Sequence, residues 1–386
     1  MDFDLVVVGG GVVGAGIARA LRGHSVALVS GGAPAPAQVP DGEFDPRVYA
    51  LSPGSVAFLR SVKGWDAIAP QRLTPVHRMR IHGDAGDAGL EIDAYRAGVP
   101  ELAWIVEDRA LQAALWGALR TQDRLEIFAP AQCASIEFRA AAHIGLSDGR
   151  TLVADLVVGA DGADSFVRAA AGIGMREQAY GQTAVVANFE CAKHHANTAF
   201  QWFQGGPVLA LLPLPANRVS MVWSVPDGEA KRLLELGAES LAHEVGAASG
   251  GAVGALKLIS AVKSFPLREA VAERMVLAHL ALAGDSAHVI HPLAGQGLNL
   301  GLQDARALGE VLARREPVRG AGDLTVLRRY ERERSEAILA MRSTVHALQR
   351  LFGSKQRLLE LARNQGLNFT DRLPVLKNAL VRHALI

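Results

Sequence analysis

The chain has 386 residues, of which 40 are Lys or Arg and 39 are Asp or Glu, and this length suggests about two domains. The near-neutral charge predicts no general attraction to nucleic acid, and no uninterrupted apolar run approaches the roughly 18–20 residues of a membrane span. Acidic Asp2 and Asp4 stand where a signal peptide needs positive charge, and only two distant cysteines are present, so we predict a cytoplasmic protein with no metal site.

The N-terminal residues have a pattern typical of dinucleotide binding. Residues 3–8, FDLVVV, predict a short parallel strand that is buried on both faces. Gly9, Gly11 and Gly14 follow with the spacing G-x-G-x-x-G and lead into a helical segment. Glycine permits the tight turn, the approach of a phosphate to the backbone and the packing of helix against strand. The helix N-terminus then favours an anion, so we expect a dinucleotide pyrophosphate here.

The second predicted strand lacks an acidic residue at its end. Dinucleotide folds of this kind usually place Asp or Glu there to bind the ribose, but this strand ends in Ser30. A serine hydroxyl offers only a neutral hydrogen bond. The loss of a charged acceptor costs about 1–2 kcal/mol of cofactor affinity. We therefore expect an exchangeable cofactor. Asp41, Glu43 and Asp45 leave open whether another acid takes this role.

The next segments contribute candidate cationic and amide side chains. A Pro/Gly-rich loop at 31–53 contains Arg47, which suits a pyrophosphate or a flavin edge, although from these residues alone an ordinary surface arginine fits better. Residues 101–120 combine an apolar strand with an amphipathic helix. Arg109 and Gln112 lie three positions apart and therefore share one face of that helix.

Residues 152–168 predict a further strand-turn-helix unit. Asp161 and Gly162 stand at the turn, and Ser165 and Arg168 fall in the first turn of the helix. Asp-Gly is a common turn signal in itself. Its position after an apolar strand, with Ser and Arg at fixed offsets, favours a functional role.

The character of the chain changes between 176 and 265, where segments rich in β-branched and aromatic residues alternate with Gly and Pro. This pattern predicts the antiparallel strands of a second sheet. Five large apolar residues in it are candidates for the wall of a substrate pocket, with ordinary sheet core as the alternative for each: Trp202, Phe203, Leu211, Leu212 and Trp223.

A second glycine-rich motif lies late in the chain, in LALAGDSAHVIHPLAGQGLNLGLQDA at 280–305. Asp285 follows an apolar strand-like run, Pro292 and closely spaced glycines come next, and a helix then begins. The early glycine turn and this motif together suggest one long dinucleotide that is held at both ends. This arrangement is typical of a flavin.

Three motifs in fixed order, GGGVVG, GADGADSFVR and AGDSAHVIHPLAGQGLNLGLQDA, resemble the single-component flavin-dependent aromatic hydroxylases, which include p-hydroxybenzoate hydroxylase. HPLAGQGLNLGLQD, DPRVYALS and the tail GLNFTDRLPVLKNAL resemble more closely the ubiquinone-biosynthesis hydroxylases of that group. The similarity covers the full length. Ser30 departs from the family pattern, and so does the ending HALI.

This resemblance implies a role for each matching residue. The FAD pyrophosphate would be contacted by Gly9, Gly11 and Gly14. The pyrophosphate or ribityl region would be contacted by Arg109 and Gln112. Asp161 would support the nicotinamide or pyrophosphate side. Asp285 would accept a hydrogen bond from a ribityl hydroxyl. Backbone N–H groups around 295–298 would face the pyrimidine edge of the flavin, and Pro292 would flank the ring near the oxygen site. The cofactor-binding prediction comprises Gly9, Gly11, Gly14, Arg47, Arg109, Gln112, Asp161, Asp285, Pro292, Gly295, Gln296, Gly297, Leu298 and Asn299; Pro292 and Arg47 are also the catalytic candidates.

The resemblance implies an α/β fold in which a Rossmann-like FAD-binding domain (1–70, 100–175 and 266–340) carries an inserted mixed or antiparallel β-sheet substrate domain (71–99 and 176–265). A helical C-terminal segment, 341–386, would follow. The implied reaction hydroxylates a polyprenyl phenol, with NADPH or NADH as reductant and O2 as oxidant, through a flavin hydroperoxide. No residue stands out as a general base.

The C-terminal segment 341–386 carries eight Lys or Arg against Glu360 and Asp371, with apolar residues between them. Such a segment suits the inner face of a membrane or a biosynthetic complex, at about 1 kcal/mol per well-placed cation, or it forms a basic cap on the flavin domain or on another subunit. Two alternative functions stay open: a flavoprotein that acts on another apolar aromatic substrate, and a non-catalytic flavin-fold scaffold.

Overall fold

The computed structural model describes residues 1–34, 43–83, 89–290 and 297–353, with side chains described as far as residue 343. Pro292, Gly295 and Gln296 of the predicted flavin site lie outside these residues.

An eight-stranded sheet forms the first layer of the fold. Five of its strands run parallel in the order Leu280–Leu282, Thr151–Gly159, Phe3–Val8, Val26–Val29 and Leu125–Phe128. Three antiparallel strands extend it: Cys133–Phe138, Ala142–Leu146 and Val276–Leu277. Phe3–Val8 lies at the centre, and its last four residues are buried, as expected for a parallel strand covered on both faces.

Helices cover this sheet and enclose the largest apolar cluster of the described residues. The helix Val12–Ala20 packs against both Asp108–Leu119 and Gly297–Ala313, and the latter packs against the long C-terminal helix. The helices of this layer are Val12–Ala20, Pro53–Ser61, Asp108–Leu119, Phe166–Ala170, Gly297–Ala313 and Leu324–Gly353.

A nine-stranded mixed sheet forms the second layer. Its strand order is His288–Val289, Lys263–Ala272, Met175–Cys191, Arg218–Pro226, Val208–Leu214, Thr198–Phe203, Arg78–His82 and Gly89–Asp93, with Leu256–Leu258 beside Met175–Cys191. All pairs are antiparallel except Thr198–Phe203 with Arg78–His82. The helices Asp227–Glu235 and Ala238–Ala248 contribute buried side chains to the apolar cluster on one face of this sheet. We call this the outer face and the opposite one the inner face.

A small antiparallel sheet stands between the two layers. Its strands are Val48–Leu51, Ala103–Glu107 and Leu73–Val76. Val48 and Ala50 pack with Leu212 and Leu214 of the second sheet, whereas Tyr49 and Leu51 belong to the core of the first layer. The short helix Ala94–Ala97 and the 3₁₀ turns Pro70–Arg72 and Gly284–Ser286 complete the described elements.

The predicted fold class is confirmed: an α/β dinucleotide-type layer, a mixed sheet and a helical C-terminal segment are all present. The domain boundaries stay a prediction; the nine-stranded sheet includes Lys263–Ala272 and His288–Val289, which extend beyond residue 265. Helix Leu324–Gly353 continues across residue 341 without a break, and 354–386 lie outside the described residues. Within the described chain, no helix is both long and apolar enough to cross a membrane.

Candidate active site

The glycine turn has the close packing that its sequence predicts. Gly9 adopts φ of +112°, and a Cβ there would lie 2.1 Å from the carbonyl oxygen of Ala160. A Cβ on Gly14 would lie 1.8 Å from the carbonyl oxygen of Gly9. At Gly11 a Cβ would meet no described residue within 4 Å. Two glycines therefore let strand, turn and helix approach each other, while the third lies without a described neighbour at a helix N-terminus that suits a phosphate.

Ser30 lies directly behind this turn. Its hydroxyl donates to the carbonyl oxygen of Gly32 at 2.8 Å, and a Cβ on Gly10 would come within 2.4 Å of its Oγ. The side chain is therefore at the position expected of the ribose-binding residue, but its proton is engaged by its own loop.

Asp108 is the centre of a polar cluster between the small sheet and the first layer. Its Oδ1 accepts hydrogen bonds from the Tyr49 hydroxyl at 3.2 Å and from Gln112 Nε2 at 2.9 Å. Its Oδ2 lies 4.0 Å from a guanidinium nitrogen of Arg47, which also stands over the Tyr49 ring. Burial raises the pKa of Tyr49, so the phenol stays protonated and acts as the donor. The sequence predicted Arg47 and Gln112 but gave no signal for Tyr49 or Asp108.

Two arginines border this cluster. Burial opposes ionisation of Arg47, but Tyr49, Asp108 and Asp285 nearby raise its pKa above the usual value. Arg109 is half-buried on the same helix as Gln112, and its guanidinium has no hydrogen bond or ion pair with any residue that the structure describes. A half-buried guanidinium without a partner suits an anionic ligand such as a pyrophosphate.

Asp161 is engaged within its own turn. Its Oδ1 accepts from the Ser165 hydroxyl at 2.5 Å and its Oδ2 from the backbone N–H of Val167 at 3.0 Å. Arg168 donates to the carbonyl oxygens of Ala163 and Ser286. This turn is therefore tied to the Gly284–Ser286 turn. A contact of Asp161 with the nicotinamide or the pyrophosphate stays a prediction.

The carboxylate of Asp285 can accept hydrogen bonds that no described residue donates to it. Its side chain is open to solvent although protein surrounds it on most sides, and its carboxylate has no hydrogen-bond partner among the described residues. Burial in this cleft raises its pKa, against the opposing effect of His288, Arg47 and Arg268. A carboxylate so placed suits a hydroxyl donor, such as the ribityl hydroxyl that the sequence resemblance implies.

A fully buried ionic network lies beneath Asp285, and the sequence did not reveal it. Asp304 is 0% exposed; its Oδ2 accepts from the backbone N–H of Gly284 at 2.8 Å and from His288 Nε2 at 2.7 Å. Its Oδ1 accepts from Arg334 Nε at 2.6 Å. Burial opposes ionisation of Asp304, but His288 and Arg334 lower its pKa below the usual value. The carboxylate thus fixes the turn that presents Asp285.

The start of helix Gly297–Ala313 completes the described part of the cleft. A Cβ on Gly297 would meet no atom within 4 Å among the residues that the structure describes. The Asn299 side chain is buried: its Oδ1 accepts from the N–H of Ser52 and its Nδ2 donates to the carbonyl oxygen of Ala50, each at 2.9 Å. Leu298 packs against the core of the first layer. Asn299 therefore fastens the helix start to the small sheet.

The five predicted pocket residues separate onto two faces of the second sheet. Trp202, Leu211 and Trp223 belong to the apolar cluster under the two helices of the outer face. For these three, the ordinary-core alternative fits the described contacts, because the helices cover that face. Phe203 and Leu212 alternate with them along the strands and therefore point to the inner face.

The inner face is turned toward the first layer. Asn188 on this face donates through Nδ2 to the carbonyl oxygens of Phe44 and Asp45, at 3.0 and 3.1 Å. Beside these contacts, Val222 and Ala210 are half-buried although their strands are central in the sheet. An accessible apolar side chain on a central strand indicates open space above it, as in a ligand cleft.

Comparisons with known proteins show the family to which this chain belongs. A family model described as an FAD binding domain matches residues 2–344. The chain belongs to this family. It is 33% identical to 3-demethoxyubiquinol 3-hydroxylase of Escherichia coli (strain K12), over 99% of this chain and 98% of that protein. It is 34% identical to ubiquinone hydroxylase UbiL of Rhodospirillum rubrum, over 99% and 89%.

Solved structures share the fold of this FAD-binding family member. PqsL from Pseudomonas aeruginosa, a probable FAD-dependent monooxygenase, superposes with a TM-score of 0.78 at 23% identity, over 95% of this chain and 99% of that one. The p-nitrophenol 4-monooxygenase PnpA from Pseudomonas putida DLL-E4 gives 0.81 at 19% identity, over 99% and 98%. The family resemblance inferred from the three motifs is confirmed, and the chain is an FAD-dependent monooxygenase.

Proposed function

We propose that this enzyme hydroxylates the aromatic ring of a prenylated phenol in ubiquinone biosynthesis, with FAD as cofactor, NADPH or NADH as reductant and O2 as oxidant. The observation that carries the proposal is the open apolar surface of the inner sheet face, around Val222 and Ala210, in a protein that is a flavin monooxygenase. The names of the relatives from E. coli and R. rubrum support the pathway.

The described residues fit an FAD molecule that extends along the cleft. Gly11 and Arg109, which have no contact or partner among the described residues, suit its pyrophosphate, and the carboxylate of Asp285, which has no hydrogen-bond partner among them, suits a ribityl hydroxyl. N–H groups at the start of helix Gly297–Ala313 suit the pyrimidine edge, where reduction adds negative charge.

Bound there, FAD supplies hydride acceptance and the activation of O2, while the protein orients the phenol and excludes water. Val222 and Ala210 offer the ring an apolar surface, and the small side chain of Ala210 leaves room for it. The Asp108 cluster holds Arg47 at the border of the cleft.

The test begins with FAD binding by the purified protein and by Asp285→Ala. We expect the variant to bind FAD about tenfold more weakly, because a hydrogen bond to a charged group is lost. Asp285→Asn, which keeps an acceptor oxygen, is the matched variant and should bind with intermediate affinity. Equal FAD affinity in wild type and Asp285→Ala would remove the ribityl contact from the proposal.

The FAD-loaded enzyme is then given NADPH or NADH with and without a short-chain prenylphenol. We expect the phenol to stimulate nicotinamide oxidation and a hydroxylated ring to be found by mass spectrometry. Oxidation without a hydroxylated product, for any phenol offered, would reject the proposed reaction and favour another apolar aromatic substrate. A protein that binds no FAD even in excess would favour the scaffold alternative.

We also propose that residues 341–386 contact the inner face of a membrane or a biosynthetic complex. The support is their sequence, with eight cationic residues among apolar ones. We propose in addition that the protein forms a homo-oligomer.

A further inference from the structure

Five strands of the second sheet place one residue each in a single row across the inner face. Strand register pairs Val222 with Ala210, Ala210 with Gln201, Gln201 with Ile81, and Ile81 with Leu90. Paired residues point to the same side of a sheet, so these side chains form one continuous line. At the usual spacing of about 4.8 Å between strands, the line is roughly 19 Å long.

All five side chains of this row are half-buried, and none carries a charge. The next row on the same face consists of Leu212, Ala199, Met79 and Ile92, which are also uncharged and pack beside the small sheet. On the outer face, by contrast, Leu209, Leu211 and Met221 are 0% exposed beneath the two helices. The helices cover the outer face of the central strands only, and Arg80 and Glu91 are partly exposed on the outer face of the last two strands. Four of the five side chains in the inner row are apolar, and a long accessible strip of such side chains marks a binding surface.

The order of the strands gives this strip a direction. His288–Val289, which follows Asp285 closely in the chain, forms one edge of the sheet, and Gly89–Asp93 forms the other in the described residues. Asn188, which contacts the backbone just before Arg47, lies on the strand beside Val222. The Val222 end is therefore nearer the flavin cleft, and the Leu90 end is farthest from it.

We propose that the four apolar residues of this row, which we call the apolar tract (Val222, Ala210, Ile81 and Leu90), hold the hydrocarbon chain of the substrate. The ring lies at the Val222 end, and the chain extends over Ile81 to the edge strand that carries Leu90. The inference rests on the proposed function and adds the place of the substrate's apolar chain, along the second sheet and away from the flavin cleft. A polar or short aromatic substrate would leave the Ile81 and Leu90 end without a ligand.

The experiment measures binding of phenols that differ only in chain length, with methyl, geranyl and farnesyl substituents, to the oxidised FAD enzyme by calorimetry without reductant. In the wild type, affinity should rise with chain length, because each added carbon buries apolar surface. In Ile81→Asn, the farnesyl phenol should bind about tenfold more weakly, equal to about 1.4 kcal/mol. The methyl phenol should bind as it does to the wild type.

Ile81→Trp is the second variant, since it keeps an apolar side chain but fills the tract, and it should give the same selective loss for the farnesyl phenol. Leu234→Asn is the matched control, because Leu234 is 41% exposed on a helix of the outer face. The proposal is wrong if Leu234→Asn loses as much affinity for the farnesyl phenol, or if the wild-type affinity does not depend on chain length.

The two proposals fail in different ways. If the wild type hydroxylates the methyl phenol but neither Ile81 variant binds the geranyl and farnesyl phenols more weakly, the proposed position of the chain is wrong and the proposed reaction stands. If no phenol in the series is hydroxylated, the proposed function itself is wrong.

Discussion

Gly10 and Ser30 meet where the dinucleotide turn passes the end of the second strand. A Cβ on Gly10 would lie 2.4 Å from Ser30 Oγ and 2.7 Å from the Trp116 ring, and Trp116 Nε1 donates to the Gly10 carbonyl oxygen at 2.8 Å. The turn is therefore held from behind by an aromatic side chain and by Ser30. A longer side chain at position 30 must extend past the turn, toward the open space near Gly11.

Ser30→Glu tests the missing acid directly. A carboxylate that reaches the ribose hydroxyls should lower the Kd for FAD about tenfold or more, since hydrogen bonds to charged groups contribute about 1.5–3 kcal/mol. Ser30→Ala should leave the Kd nearly unchanged, because the serine proton already goes to Gly32. Flavin fluorescence during titration of the apoprotein measures both, and a Ser30→Glu variant that binds FAD no better than wild type would contradict the expectation.

Patterns among neighbouring residues predicted only some of the residues in the candidate site. The spacing of Gly9, Gly11 and Gly14 predicted the turn, because its geometry depends on neighbouring residues. Tyr49 and Asp108 are far apart in the chain, and they meet only because Val48–Leu51 pairs with Ala103–Glu107 in the small sheet. Sequence reasoning without that pairing could not bring them together.

The elements around Asp285 depend on one another through Asp304. Its carboxylate joins helix Gly297–Ala313 to Gly284, to His288 and to Arg334 on the long C-terminal helix, all in a fully buried environment. Nearby, the Tyr330 hydroxyl donates to the carbonyl oxygen of Leu282. The long helix thus supports the turn that presents Asp285, although it lies outside the predicted cofactor contacts.

Asp304→Asn should destabilise the protein by about 3–5 kcal/mol, because it leaves the buried cation of Arg334 without its partner. Since the pKa of Asp304 is lowered in the fold, its stabilisation is present above its ordinary pKa and is lost as the pH falls toward the lowered value. The variant should therefore lose less stability on acidification than the wild type. Urea unfolding between about pH 3 and 7 measures this difference.

Glu316→Gln is the control for that series, since it removes a partly exposed partner of Arg329 and Arg319 and should change stability little. If Asp304→Asn were as stable as Glu316→Gln, the network would not support the turn energetically.

The strands of the second sheet were predictable from their composition, but the roles of their two faces were not. Alternation places Trp202 and Gln201 on opposite faces without indicating which one is covered. The aromatic residues favoured Trp202 and Trp223 as pocket wall, yet the helices Asp227–Glu235 and Ala238–Ala248 cover that face. Only the packing of elements distant in the chain reveals that the smaller side chains, such as Ala210, face the cleft.

In the whole molecule, the segment 283–289 is one of the short connections between the two large sheets. The N–H of Ala283 donates to the carbonyl oxygen of Gly159 in the first sheet, and Val289 pairs with Ala270 in the second. Between these contacts lie the Gly284–Ser286 turn and His288, which Asp304 holds. Asp285 therefore lies on a segment that connects the two layers.

This connection predicts that FAD binding stabilises both sheets as one unit. At 100 times its Kd, FAD should add about 2.7 kcal/mol to the free energy of unfolding. Amides of Phe3–Val8 in the first sheet and of Arg218–Pro226 in the second should then gain similar protection against hydrogen exchange, since both open only when the molecule unfolds as a whole. Asp285→Ala at the same FAD concentration should gain less in both strands. Protection confined to Phe3–Val8 would mean that the second sheet opens independently, and that the connections between the layers, Gly284–Val289 among them, transmit no stability.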